Sequence, residues 1–385
     1  MDFLSLINLS QPTGFWESII FGLESNILNY ALTLIVITVL IKLIMIPFDF
    51  LNRYITKTNT RKQQAMKPRL DKINKQYAGN PEIKNQKTME LYKQENYSVM
   101  GTCLGMIASL AITILVFFTL LGSLNGIAAY KQKQEIIYIH QAYVARYEEV
   151  TQYHSGGTLT PEEISNLATA AAQQAALEKH DEVTTGFLWI RNIWRADTLT
   201  NSVPSFDNFA SISGAYEVML DIVAQNRGVT VENLTKSTDD GGLGYSPEQV
   251  ENEFKDIFDN FMYLVRAERN RNNGMFILIV IAAGSSFISI QIPMWMDKAR
   301  AKRKSLPVEA AGTNPNQAKM MMYIMPLIMA AFTFFSSSAF SIYIATSGLM
   351  MVVTAPLISL LVDFVADKME KRKNDKNAIT YSRKK

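Results

Sequence analysis

The chain has 385 residues, 48% of them hydrophobic, with 19 methionines, a mean hydropathy of +0.03 and a formal net charge of +3. Values of this kind suit membrane spans mixed with polar segments better than two or three soluble domains. The single cysteine, Cys103, excludes a disulfide framework, and three histidines scattered through one polar segment (His140, His154, His180) exclude a Cys/His metal set.

In chain order, residues 1–26 form a tail with three acids (Asp2, Glu17, Glu24) and no Lys or Arg, so no signal peptide with a basic leading region is legible. Within it Phe15 to Ile27 predicts an interfacial amphipathic helix: Phe15, Trp16, Ile19, Ile20, Leu23 and Ile27 recur at helical spacing, with Glu17, Ser18 and Glu24 opposite. The first apolar run, 27–47, matches the roughly 20 residues needed to cross a bilayer, yet it carries Lys42. A charge inside a span costs about 3 kcal/mol or more, so Lys42 either serves a function or snorkels to the headgroups five residues before Pro47.

Residues 48–98 predict a charged helical hairpin broken at Tyr77-Ala-Gly79-Asn80-Pro81, with Gly79 ending one arm, Asn80 capping the next and Pro81 in its first turn. Met66, Leu70, Ile73 and Tyr77 form a seam answered by Ile83, Met89 and Tyr92, and Pro68 is expected to kink the first arm. Further spans are expected at 99–124, 274–296, 319–336 and 339–362, the last two forming a hairpin about Ser336, Ser337 and Ser338. The second span bears Thr102, Ser109, Thr113 and Thr119; such hydroxyls either bond their own helix backbone or, with Thr33 and Thr38, line a wetted cavity.

Between the second and third spans, 125–273 is polar and shows no phosphate loop, nucleophile elbow or paired-carboxylate pattern. Two helix starts stand out, Thr160-Pro161-Glu162-Glu163 and Ser246-Pro247-Glu248-Gln249, the second leading into an apolar face of Val250, Phe254, Ile257, Phe258, Phe261 and Leu264. Asp239-Asp240-Gly241-Gly242 lacks calcium-ligand spacing and reads as a loop. Basic residues crowd 49–98 (eleven against five acids), the loop 297–318 with Lys319, and the tail 363–385 (eight against four), whereas 127–273 holds twelve against twenty-one acids. Short basic loops stay inside, which predicts an outside N-terminus, five spans and a cytoplasmic C-terminus.

Several stretches together resemble the YidC/Oxa/Alb membrane insertase family: Ile41-Lys42-Leu43-Ile44-Met45-Ile46-Pro47, Lys67-Pro68 with Met89-Glu90-Leu91-Tyr92-Lys93, Gly101-Thr102-Cys103, Leu121-Gly122-Ser123, Phe187-Leu188-Trp189-Ile190 with Asp197, Gln291, Met325-Pro326, Tyr343 and Ser347. The family usually has Arg where Lys42 stands, prolines near Val99, Gly105 and Ala111, Pro-Ser-Gly at Ser337-Ser338-Ala339, and a shorter exoplasmic segment. The resemblance implies an all-α membrane protein whose five helices enclose a hydrophilic groove, and an activity that receives nascent membrane proteins and releases their helices into lipid. The expected groove residues are Lys42, Thr33, Thr38, Ser109, Thr113, Gln291, Tyr343 and Ser347, with no catalytic residue, metal or cofactor. Implied partners are nascent membrane proteins, the lipid bilayer, a ribosome met by the tail Lys368 to Lys385, a Sec translocon and a targeting receptor, but no DNA. The rival reading is a membrane-anchored receptor or scaffold working through 125–273; a secondary transporter fits less well, since the spans show no internal repeat.

Overall fold

The structure, a computed structural model, describes residues 9–27, 29–95, 97, 99–200, 202–303 and 315–382. Among them the chain is helical without a strand: α1 (Phe15–Ile27), α2 (Tyr30–Gln76), α3 (Pro81–Gln94), α4 (Val99–His154), α5 (Pro161–Val183), α6 (Phe206–Ala210), α7 (Ala215–Asn226), α8 (Val231–Thr235), α9 (Pro247–Phe261), α10 (Ile277–Arg303), α11 (Pro315–Phe335) and α12 (Ser338–Ser382). Among the described residues four helices contain segments long and apolar enough to cross a membrane, Tyr30–Asn59, Ile114–His154, Ile277–Arg300 and Ser338–Met369, with a shorter apolar helix at Pro326–Phe335. The chain is an all-α membrane protein. The tail 1–8, residues 304–314 of the basic loop and residues 383–385 of the basic tail lie outside the described residues.

Two compact units emerge, Met1–Leu34 with Leu120–Leu278 and Thr333–Ile342, and Ile35–Thr119 with Ile279–Phe332 and Tyr343–Lys385. In the first, the polar insertion folds on the far part of α4. Val250, Phe254, Phe258 and Phe261 of α9 are fully buried with Phe209 and Ile222, against Ile136 and Ile139 of α4 and Ala176 of α5. The predicted apolar face of α9 is therefore the wall of a core, and each phenylalanine contributes about 3–5 kcal/mol. Both predicted capping boxes close: the Thr160 amide donates to Glu163 Oε2 (2.8 Å) and the Ser246 amide to Gln249 Oε1 (2.8 Å). At Asp239–Gly242 a short 3-10 turn ends at Gly241, whose φ of +80° needs glycine, as the loop reading expected. Helix α1 spans the residues predicted for it and packs on α4 through Glu24–Lys131 (2.9 Å) and Phe21–Tyr130.

In the second unit α2 runs unbroken through Pro47 and Pro68 into the first arm of the hairpin. Asn80 caps α3 by accepting from the Glu82 and Ile83 amides, and Pro81 takes its first turn. The seam differs from expectation on the α3 side. Met66, with Leu70 and Ile73, meets Leu91, Tyr92 and Tyr97, while Ile83 and Met89 are exposed. A single arm presents one face, and Leu91 cannot face inward together with Met89, which lies about 200° around the helix.

Candidate functional site

Helix α2 sorts its residues by face. Val36, Leu40, Leu43, Ile44, Phe48 and Leu51 are exposed, an apolar stripe that suits lipid. Lys42 is half-buried and, at 100° per residue, falls on the opposite side of the helix, with buried Thr38 one turn before it. Half-buried Asp49 and Arg53 continue this polar face at spacings of seven and four, and Lys57 and Arg61, each four further on, drift about 60° and 100° around the helix from Lys42. Thr33 does not share it: nine residues before Lys42, it lies about half a turn away, and its hydroxyl donates to the Asn29 carbonyl (3.0 Å). Thr119 likewise bonds its own helix at the Leu115 carbonyl (2.8 Å). Ser109 and Thr113 belong to α4, but their side chains lie outside the described residues.

The remaining expected residues sit on helices that pack against α2 in this unit. Tyr343 is buried and Ser347 half-buried one turn apart on α12, and Gln291 is buried on α10. Helices α10 and α12 approach closely at Gly348, where an added Cβ would run into Ser285 Oγ. From α2, Arg53 donates to the Ala355 carbonyl of α12 (3.2 Å). Lys57 pairs with Asp297 of α10 (3.0 Å), Arg61 with Asp367 of α12 (2.7 Å), and both Lys57 and Arg300 contact the buried carboxylate of Asp363. Sequence reasoning missed this cluster. Its signal was present: Asp49, Asp297 and Asp363 each follow directly on an apolar run and precede a basic one.

In the first unit, the segment around Phe187-Leu188-Trp189-Ile190 forms a tight cap over helix ends. Phe187 and Ile190 bridge antiparallel, exchanging amide bonds of 2.8 and 2.9 Å, and Gly186 is required because a Cβ there would meet the Ile190 carbonyl at 3.0 Å. Leu188 takes a φ of +54° and is exposed. The Ser338 and Ala339 amides, at the first turn of α12, donate to the carbonyls of Arg195 and Ile193 (2.7 Å each), and the Trp194 ring packs on Tyr30. Asp197, fully buried, accepts from the Phe276 and Leu278 amides at the start of α10 (2.8 and 2.7 Å). Asn273, also buried, accepts from the Asn192 amide (2.8 Å) and donates to the carbonyls of Asn192 (2.8 Å) and Ala196 (2.9 Å). Orphan amides at two helix starts are thus satisfied by one loop.

Among the described residues no group of three or more His, Cys, Asp or Glu could hold a metal ion. A cavity of about 380 Å³ in the inserted segment is lined by His180, Leu188 and Arg191 among others.

Residues 22–363 match the family model described as 60Kd inner membrane protein. The chain belongs to this family. The bounds of the match reach from before the first span to the end of the last. The insertase resemblance read from the motifs agrees with it. Similar curated proteins include "Membrane protein insertase YidC" of Leptospira interrogans serogroup Icterohaemorrhagiae serovar Lai (33% identical over 120 residues, 30% of this chain and 18% of that one). The protein of that name from Clostridium perfringens is 34% identical over 119 residues, 30% of this chain and 47% of its own. That of Clostridium tetani is 25% identical over 146 residues, 37% and 64%. The aligned parts thus span less than two thirds of these relatives. No solved structure matches the chain.

Proposed function

We propose that this member of the family is a membrane protein insertase, not an enzyme, which receives nascent membrane proteins in a hydrophilic groove carrying the positive charge of Lys42. The observation that carries this reading is the placement of Lys42 opposite the exposed apolar stripe of α2, on the face that pairs with α10 and α12. A lysine that merely snorkelled would gain nothing from that face. Thr38, Gln291, Tyr343 and Ser347 supply polar groups on the helices bordering it, and a wetted groove keeps the ammonium solvated while thinning the apolar barrier. A client's short acidic tail is drawn to Lys42 by roughly 1–4 kcal/mol at contact, and its apolar segment leaves along the helices into lipid. Crossing is driven by burial of that segment and by the membrane potential, about 2.3 kcal/mol per charge per 100 mV.

In this reading the protein sits in a bacterial-type plasma membrane with its N-terminus outside, five spans counting α11, and the hairpin and basic tail in the cytoplasm. The tail Lys368 to Lys385 meets ribosomal RNA through phosphate contacts, beside a Sec translocon and a targeting receptor. The test is protease protection of a single-span client added to proteoliposomes of the purified protein, without nucleotide. Insertion well above empty liposomes is expected, and is expected to survive trimming of 125–273 that spares Phe187 to Asp197. Insertion no better than empty liposomes contradicts the reading, and loss of insertion on trimming favours the scaffold.

A further inference from the structure

We infer that Lys57 and Arg61 form a second receiving site for acidic polypeptide segments, nearer the polar end of α2, which the client occupies by displacing the resident carboxylates of Asp297 and Asp367. The inference rests on the reading of Lys42 as the groove's receiving charge.

Two kinds of carboxylate meet in the cluster. Asp363 has a side chain only 4% exposed and contacts both Lys57 and Arg300, so it is a fixed counter-charge whose removal would leave two half-buried cations uncompensated. Asp297 and Asp367 are 56% and 43% exposed, and pairs of that kind are worth at most about 1 kcal/mol. They are the outer partners of Lys57 and Arg61, 21% and 29% exposed, which Asp363 also anchors from the buried side, in contact with Lys57 and 4.0 Å from Arg61, so the outer pairs can open while both cations stay in place. A carboxylate arriving from the client is chemically the same partner, so the exchange is close to isoenergetic and reversible. That is what an intermediate site needs: tight enough to orient, loose enough to pass on. With Asp363 always present, the cluster keeps its three helices together while the outer carboxylates turn over.

The position along the helix gives the sequence of events. Lys57 lies fifteen residues from Lys42, about 22 Å along the helix and about 60° around it, a distance about seven extended residues of client would cover. Arg53, between them, is engaged with the Ala355 carbonyl. An acidic tail would therefore meet Lys57 and Arg61 first and Lys42 after roughly seven more residues have been delivered.

The experiment uses ribosome-bound client chains of graded length with a photoreactive residue beside an Asp-Asp or an Asn-Asn pair in the tail, and maps adducts on α2. Four proteins are compared: wild type, Asp297→Asn with Asp367→Asn, Lys57→Gln with Arg61→Gln, and Lys42→Ala. For the Asp-Asp client the expected results are adducts at 57–61 on shorter chains and near 42 on chains about seven residues longer. Replacing both exposed carboxylates, which should leave the fold intact, is expected to raise the 57–61 adduct about five-fold, and the Lys57/Arg61 variant to lower it several-fold. The Asn-Asn client should respond to neither. Equal responses of the two clients, or no response of either, overturn the inference and leave only a structural clamp. The Lys42→Ala protein separates the two readings. Charge-dependent adducts at 57–61 with undiminished insertion would remove the role of Lys42 and keep this site, whereas lost insertion with charge-independent adducts would do the reverse.

Discussion

Removing the carboxylate of Asp197 should unseat the cap over α10. Both of its oxygens are used, one by the Phe276 amide at 2.8 Å and the other by the Leu278 amide at 2.7 Å, and the residue is inaccessible to solvent. Asp197→Ala leaves two buried N–H groups without an acceptor, at about 1–3 kcal/mol each, and withdraws a negative charge from a helix N-terminus, at about 0.5–1 kcal/mol. The sum is about 4 kcal/mol, on the order of 10 °C in Tm for a unit of this size. Asp197→Asn keeps one acceptor oxygen and should lose about half as much. Unfolding can be followed in detergent by the fluorescence of Trp194, which packs on Tyr30, together with tryptic cleavage after Arg191 and Arg195. Faster cleavage and a graded fall in Tm, Ala below Asn below wild type, are expected. An Ala variant melting within about 2 °C of wild type with unchanged cleavage would refute the view that this loop is held by helix-end capping.

Phe258→Ala, in the fully buried core of the inserted segment, should cost about 3–5 kcal/mol by denaturant titration, with the protein still extracted in the membrane fraction. Thr160→Ala opens the capping box of α5 and should cost about 1 kcal/mol, seen as faster amide exchange in its first turn. The Arg227 guanidinium, bidentate on Glu253 at 2.6 and 2.8 Å, holds that carboxyl below its usual range. A depressed carboxyl contributes stability that is present above the ordinary glutamate pKa and is lost as pH falls through its lowered value. Acid melting of the α7–α9 region should therefore show a small loss below about pH 4.5 that Arg227→Gln abolishes, measured by circular dichroism. A loss of the same size in the variant would show that the pair is not its source.

How much was legible beforehand divides by the physics involved. Local signals read well: the hydroxyl-Pro-acid starts of α5 and α9, Asn80-Pro81 and the phenylalanine face of α9 act within one turn or one face, so sequence spacing determines them. Which residues meet across helices read poorly. The hairpin seam chose Leu91 and Tyr97 over Ile83 and Met89, because the register between two short arms is set by the turn and not by hydrophobicity alone. The Thr33 hydroxyl bonds its own helix at the Asn29 carbonyl, the local one of the two alternatives open for such hydroxyls. The carboxylates of Asp297, Asp363 and Asp367 were counted only as charge against basic loops, when their meaning lies in the cations of α2 and α10 that folding brings to them.

The central claim is that the ammonium of Lys42 receives the client's acidic tail. Its most direct measurement is the yield of protease-protected client, a single span preceded by either an Asp-Asp or an Asn-Asn tail, in proteoliposomes of wild-type, Lys42→Arg and Lys42→Ala protein. The account predicts that Arg matches Lys, while Ala lowers insertion of the acidic-tailed client about ten-fold, within the roughly 1–4 kcal/mol range of the contact, and leaves the Asn-Asn client unchanged. Insertion of the acidic-tailed client by the Ala variant at the wild-type level would contradict it.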